Sequence, residues 1–168
     1  MKLETIQDVF ESELFDMYDA EHQLTKALPK MAEKSTSADL AQAFSSHLEE
    51  TENQVARLEE VFQILGLKEK RETCKAMKGL VGEAEHMIGK IEKGPVLDAT
   101  LITLAQKVEH YEMASYGSLR ELAKQLGYDQ VVTLLSETYD EEKGADEKLT
   151  ALAEEHINDD ALLYRRAA

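Results

Sequence analysis

The stretch LITLAQKVEHYEMASYGSLRELAKQL, residues 101–126, decides how the rest of the chain is read. Leu101, Ala105, Val108, Ser115, Leu119, Leu122 and Leu126 recur every three or four residues. That period places apolar side chains on one face of an α-helix. The stripe is broken at Glu112, where an apolar residue is expected, and Glu109 lies one turn earlier on the same face. Gly94-Pro95 opens the segment and Gly127 closes it, as helix-breaking residues do.

The same period extends outward in both directions. Downstream, a helix from about Asp129 to Ile157 turns Val131, Leu135, Thr138, Ala145, Leu149 and Leu152 inward, with Glu142 interrupting the series. The tail from about residue 158 reads as frayed. Upstream lies a weaker helix from about Glu72 to Glu92, with Met77, Leu80, Val81, Ala84, Met87, Ile88 and Ile91 on one face. Gly79, Gly82 and Gly89 lower its propensity. Before it, a helix capped within Ser35-Thr36-Ser37 carries Leu40, Phe44, Leu48, Val55, Leu58 and Phe62 and stops at Gly66. The first helix starts at a cap near Thr5 and reaches about Glu33 through Phe10, Leu14, Met17, Glu21, Leu24 and Leu28. Pro29 is expected to kink it or end it early. The predicted fold is all-α: a four-helix bundle with an additional short connecting helix. Residues 1–168 form a single domain. Residues near 5–66 and 96–157 are two helical hairpins, and the connector, roughly 30 Å long at about 1.5 Å per residue, either returns along the bundle or packs across one end.

Composition agrees. The 168 residues include two prolines, eight glycines and no tryptophan, too few turn residues for a many-stranded β-protein. A hydrophobic fraction of 43% argues against disorder. The net charge of −15 repels phosphate, so neither nucleic acid nor an anionic membrane surface is an expected partner. No stretch without Asp, Glu, Lys or Arg reaches ten residues, which excludes a membrane-spanning helix. The opening Met-Lys-Leu-Glu-Thr lacks the apolar core of a secretory signal. Cys74, the single cysteine, fits a reducing compartment. A cytoplasmic location is expected.

The interruptions carry the chemistry. Taken singly, a glutamate in a stripe has an ordinary reading at the margin, its carboxyl group turned outward. Height along the bundle sets these apart. Glu21 and Glu50 each lie about fourteen residues from the centre of the first loop, and Glu112 and Glu142 about fifteen from Gly127, roughly 22 Å in every case. Equal counts in an antiparallel hairpin mean equal height, so the four carboxylates are predicted to share one layer. Such a layer must be protonated, paired with Lys or Arg, or wrapped around a cation. Few basic residues share these positions, and a pair of divalent ions best offsets the charge; oxygen-rich sites suit iron or manganese. Glu109 adds a Glu-x-x-Glu pair with Glu112, and Asp146, one turn beyond Glu142, lies level with Glu109. On the second helix His47, Glu50 and Gln54 sit at the edge of the stripe, and His47 reads either as a ligand or as a supporting core histidine. His110 reads as lateral. Tyr18, Tyr111, Tyr116 and Tyr139 are candidates to hydrogen-bond ligands or to fill space. Cys74 has no partner motif and is assigned no role.

At these residues the chain resembles the ferritin-like superfamily of di-iron and di-manganese carboxylate proteins. More closely it is similar to the YciF-type bacterial stress proteins, through TIQDVF (5–10), AFSSHLEET (43–51), QKVEHYEMASYGSL (106–119) and EEKGADEKLT (141–150). The resemblance implies a dimeric bundle with a dinuclear iron or manganese centre and a role in stress response. Glu-x-x-Glu at 109 and 112 is similar to the rubrerythrin pattern, which implies chemistry on peroxide or dioxygen rather than iron storage. Ferritin-like sites usually carry Glu-x-x-His on the second and fourth helices; here Asn53 and Ala145 stand where those histidines belong. Two functions follow: a peroxide- or dioxygen-consuming oxidoreductase of catalase or peroxidase type, or a non-catalytic bundle acting by metal binding or association. Ala114, Gly117 and Ser118, off the core stripe, allow close helix approach and suggest a homodimer.

Overall fold

The computed structural model describes residues 3–164. Helix α1 (Ile6–Lys34) pairs with α2 (Ala38–Leu65), and α4 (Pro95–Gln125) pairs with α5 (Asp129–Leu152). The short α3 (Lys75–Lys90) joins the hairpins, and after a π-helical turn, Ala153–Ile157, the chain ends in α6 (Asn158–Leu163). The four long helices enclose one core, including Phe10, Leu14, Leu40, Phe62, Leu101, Leu119, Val131 and Leu135, all 0–1% exposed.

Caps fix the helix ends. The Thr5 hydroxyl accepts from Asp8 N while the Asp8 carboxylate accepts from Thr5 N, a reciprocal box that opens α1. Ser37 caps α2, whose other end turns at Gly66 with φ 66°, the left-handed conformation glycine adopts without strain. Buried Asp98, near the start of α4, accepts from Thr36 N at 2.7 Å and Ser37 N at 2.9 Å. It thereby locks the top of one hairpin to the other.

The connector returns along the bundle. Residues 67–74 climb without helical structure, and α3 then lies between α1 and α4. Lys30–Glu85 and Lys107–Glu83 ion pairs border it. Asp19 of α1, 8% exposed, anchors the climb by accepting from Cys74 N at 2.9 Å, Arg71 Nη2 at 2.8 Å and Gln23 Nε2 at 2.7 Å. A helix begins at Lys75 rather than Glu72 because Cys74 takes the cap, its sulfur accepting from Met77 N. Cys74 is thus structural, where no role was expected.

Three further expectations are corrected. Pro29 does not end α1, which continues to Lys34. In α4 the inward residue after Glu112 is Tyr116, 0% exposed, not the half-buried Ser115. The buried series Glu112, Tyr116, Leu119, Ala123 steps by four, three and four, so Ala123 rather than Leu122 is buried. Beyond residue 158 the expected frayed tail is helical to Leu163 and packs on α4; residues 165–168 lie outside the described part.

Candidate metal centre

Five side chains from all four long helices meet in mid-bundle: Glu21 of α1, His47 of α2, Glu109 and Glu112 of α4 and Glu142 of α5. Glu21, Glu112 and Glu142 are 0% exposed, Glu109 2% and His47 6%. Each of His47, Glu109, Glu112 and Glu142 offers a ligand atom within 4.8 Å of the others. His47 Nε2 lies 3.5 Å from a carboxylate oxygen of Glu109 and 3.5 Å from one of Glu142. Glu21 lies near enough to feel the Glu142 and His47 charges and accepts a hydrogen bond from the Tyr116 phenol.

Height was readable from residue counts, but azimuth was not. The buried face of α2 runs His47, Thr51, Gln54, Leu58. Glu50 falls about 100° away from Thr51, so its side chain is 47% exposed. It accepts from His47 Nδ1 at 3.2 Å instead of joining the buried layer, and that contact directs Nε2 inward. Asp146 also stays outside, accepting from Gln106 Nε2 at 3.1 Å with His110 Nε2 at 3.3 Å. Of the four tyrosines only Tyr116 touches the layer; Tyr18 donates to Glu59, Tyr111 to Asp16, and Tyr139 stacks under Arg120.

A supporting network went unrecognised. Arg57 of α2 donates to both oxygens of Glu141 at 2.8 Å and to Thr138 Oγ1 at 2.8 Å. Glu141 in turn accepts from fully buried Gln54 at 3.0 Å. The pairing holds α2 against α5 beside Glu142. Its only sequence signal is Arg57 three residues after Gln54 on one helical face, too common to single out.

Electrostatics distinguish the layer from that network. Burial pushes Glu21 up to about 8, and the Glu142 charge adds to it. Burial likewise raises Glu109 to about 8, against a favourable contact with Glu142. Glu112 and Glu142 are held well above the usual carboxylate range, again mainly by burial. Burial alone would lower His47, but its bond to Glu50 and the nearby Glu142 outweigh that and raise it. Glu141, by contrast, is held low because Arg57 and Gln54 overcome its burial. Among the described residues, the buried side-chain atoms without a hydrogen-bond partner are Glu21 Oε2, His47 Nε2, Gln54 Oε1, Glu109 Oε2 and both oxygens of Glu112 and Glu142. All belong to this one region. Partnerless buried polar atoms are rare and costly, and a carboxylate–imidazole donor set with no lysine or arginine inside suits a divalent cation.

Fold and site together define a four-helix bundle with a buried carboxylate–histidine cluster. The chain belongs to the family described as a domain of unknown function (DUF892), matched over residues 5–162. It is 52% identical over 159 residues to protein YciF of Escherichia coli strain K12, covering 94% of this chain and 96% of that one. The crystal structure of that stress protein superimposes with a TM-score of 0.89 over 93% of this chain and 99% of the other. YcfI from Rhodopseudomonas palustris, for which a structural role has been suggested, is 46% identical, with a TM-score of 0.87 over 89% of this chain and 95% of that one. A protein from Xanthomonas campestris, XCC3681, shares the fold at 18% identity and a TM-score of 0.69, over 89% of this chain and 92% of the other.

Proposed function

We propose that this homologue of a stress protein holds two iron or manganese ions in its core and uses them on peroxide or dioxygen. What carries the reading is the convergence of seven partnerless buried atoms, from Glu21, His47, Glu109, Glu112 and Glu142, on one layer. Charge supports two ions: the buried carboxylates of Glu21, Glu109, Glu112 and Glu142 carry four negative charges when ionised, which two divalent cations cancel. Glu112 and Glu142 each present two free oxygens, Glu21 and Glu109 one each, and His47 its Nε2. When bound, such an ion pair supplies electron exchange with a small oxidant at an open position.

The chain's own residues prepare the site. Tyr116 orients Glu21, Glu50 fixes the His47 ring, and Arg57–Glu141 with Gln54 holds the helices carrying them. Glu21, Glu109, Glu112 and Glu142, raised by burial, would have to release any bound protons in order to hold cations. Glu50 and Asp146 act from outside the layer. No described helix is long and apolar enough to cross a membrane; a cytoplasmic homodimer is the setting proposed here.

The test is elemental analysis of protein purified without chelator. Two iron or manganese ions per chain, lost in Glu112→Gln, support the reading. Fully helical protein that takes up neither metal refutes it. That outcome would favour a non-catalytic bundle, the reading to which the structural role suggested for the R. palustris relative points.

A further inference from the structure

A cleft of about 290 Å³ opens between α2 and α5 and reaches the buried layer. His47 and Glu109 line its inner end, and Ala43, Ser46, Gly144 and Ala145 contribute to its walls. On the opposite side, α3 covers the bundle and leaves an apolar gap of only about 30 Å³ between α1 and α4. Ala145 stands where Glu142 would be followed by histidine in a Glu-x-x-His pattern, so the absent ring leaves open space. A Cβ added at the exposed Gly144 would meet nothing within 4 Å.

We infer that this cleft is the entrance to the centre, and that the small side chains at 144 and 145 set its aperture. At roughly 30 Å³ per water, it holds about ten water molecules. That is room for a hydrated cation or a peroxide-sized molecule. The role of the entrance in catalysis rests on the metal reading above; the path itself does not, since His47 and Glu109 line it whether or not cations bind.

The experiment compares wild type, Ala145→Leu and Gly144→Leu with Thr133→Leu, which alters an exposed position on α5 away from the cleft. Metal-free protein is treated with diethyl pyrocarbonate, and carbethoxylation of His47 is followed by peptide mass spectrometry. Mn²⁺ uptake is followed separately by loss of the free-ion paramagnetic resonance signal. Folded Ala145→Leu or Gly144→Leu is expected to slow both at least tenfold, with final stoichiometry unchanged and Thr133→Leu matching wild type. Should His47 in the folded cleft variants react at the wild-type rate, the entrance lies elsewhere and the inference is overturned. If wild type takes up no Mn²⁺ yet the cleft variants protect His47, the metal reading fails and the path stands.

Discussion

Glu112 has both carboxylate oxygens buried without a partner, and burial raises it well above the usual carboxylate range, so folding without metal favours its protonated form. The unfolded chain holds no such proton at neutral pH. A group raised in the folded state gives its full stabilisation below its unfolded value and loses it as pH climbs through the folded one. For Glu21 and Glu109 the loss runs from roughly the ordinary carboxylate value of 4.5 to about 8, and His47, also raised, acts in the same sense. In chelator, Tm should therefore fall between about pH 5 and pH 8. Excess Mn²⁺ should restore it: at about 100 times Kd, cation adds about 2.7 kcal/mol, worth about 5–10 °C in a chain of this size. Glu112→Gln supplies a neutral side chain of similar volume and spares one proton uptake. It should raise the metal-free Tm at pH 7.5 by at least about 2 °C, on the order of 1 kcal/mol, and abolish most of the Mn²⁺ shift. Calorimetry of both proteins with and without metal checks this; a lower metal-free Tm for Glu112→Gln would mean the carboxylate is compensated otherwise. Tyr116→Phe should do the reverse without metal, because it removes the hydrogen bond on buried Glu21. A loss of about 1–3 kcal/mol is expected in denaturant titration.

The short helix α3 depends on its neighbours more than the four long helices do. Sixteen residues with three interior glycines form a marginal helix in isolation. Its position rests on the Asp19 clamp, one shallow apolar face and surface ion pairs that contribute little each. Asp19→Ala would leave the buried Cys74 N–H without its acceptor. The expected loss is about 1–3 kcal/mol, with faster hydrogen exchange confined first to α3. Cys74, 0% exposed beneath that clamp, should then react with iodoacetamide while wild type resists. Equal alkylation rates would show that the clamp does not hold the connector. Elements of this kind also mark what could be read in advance. The α1, α2, α4 and α5 stripes were legible because burial enforces their period over many turns, and with them the heights of Glu21, Glu112 and Glu142. Local choices decided the rest. Whether His47 or Glu50 turns inward depends on about 100° of helical rotation, and one extra residue in the α4 stripe exchanges Ser115 for Tyr116. Asp19 reaching Arg71 and Cys74, or Arg57 reaching Glu141, are contacts between distant segments that no local period encodes.

At the scale of the molecule, the acidic surface and the small-residue face make opposing demands on association. A net charge of −15 means that two copies repel at long range, with an interaction screened over about 10 Å at 0.1 M salt and about 3 Å at 1 M. Within one chain Gly117 lies against Tyr139, where an added Cβ would come 3.5 Å from the ring, so α4 already spends part of its small-residue face on α5. Ala114 and Ser118 remain exposed on that helix. The described residues also expose Leu162 and Leu163 at 81% and 75%, with Val96 at 40%. Apolar surface of that kind often marks contact with another molecule. If copies pair through either face, apolar contact must overcome charge, and added salt should tighten the dimer. Light scattering of protein at low micromolar concentration should then give twice the chain mass, with the monomer fraction falling as salt rises from about 0.05 to 0.5 M. Ala114→Arg and Leu163→Glu separate the faces: the substitution in the true interface should shift the population toward monomer by at least tenfold in Kd. Wild type that remains monomeric at high salt would remove the dimer from the proposal, and both faces would then need another explanation.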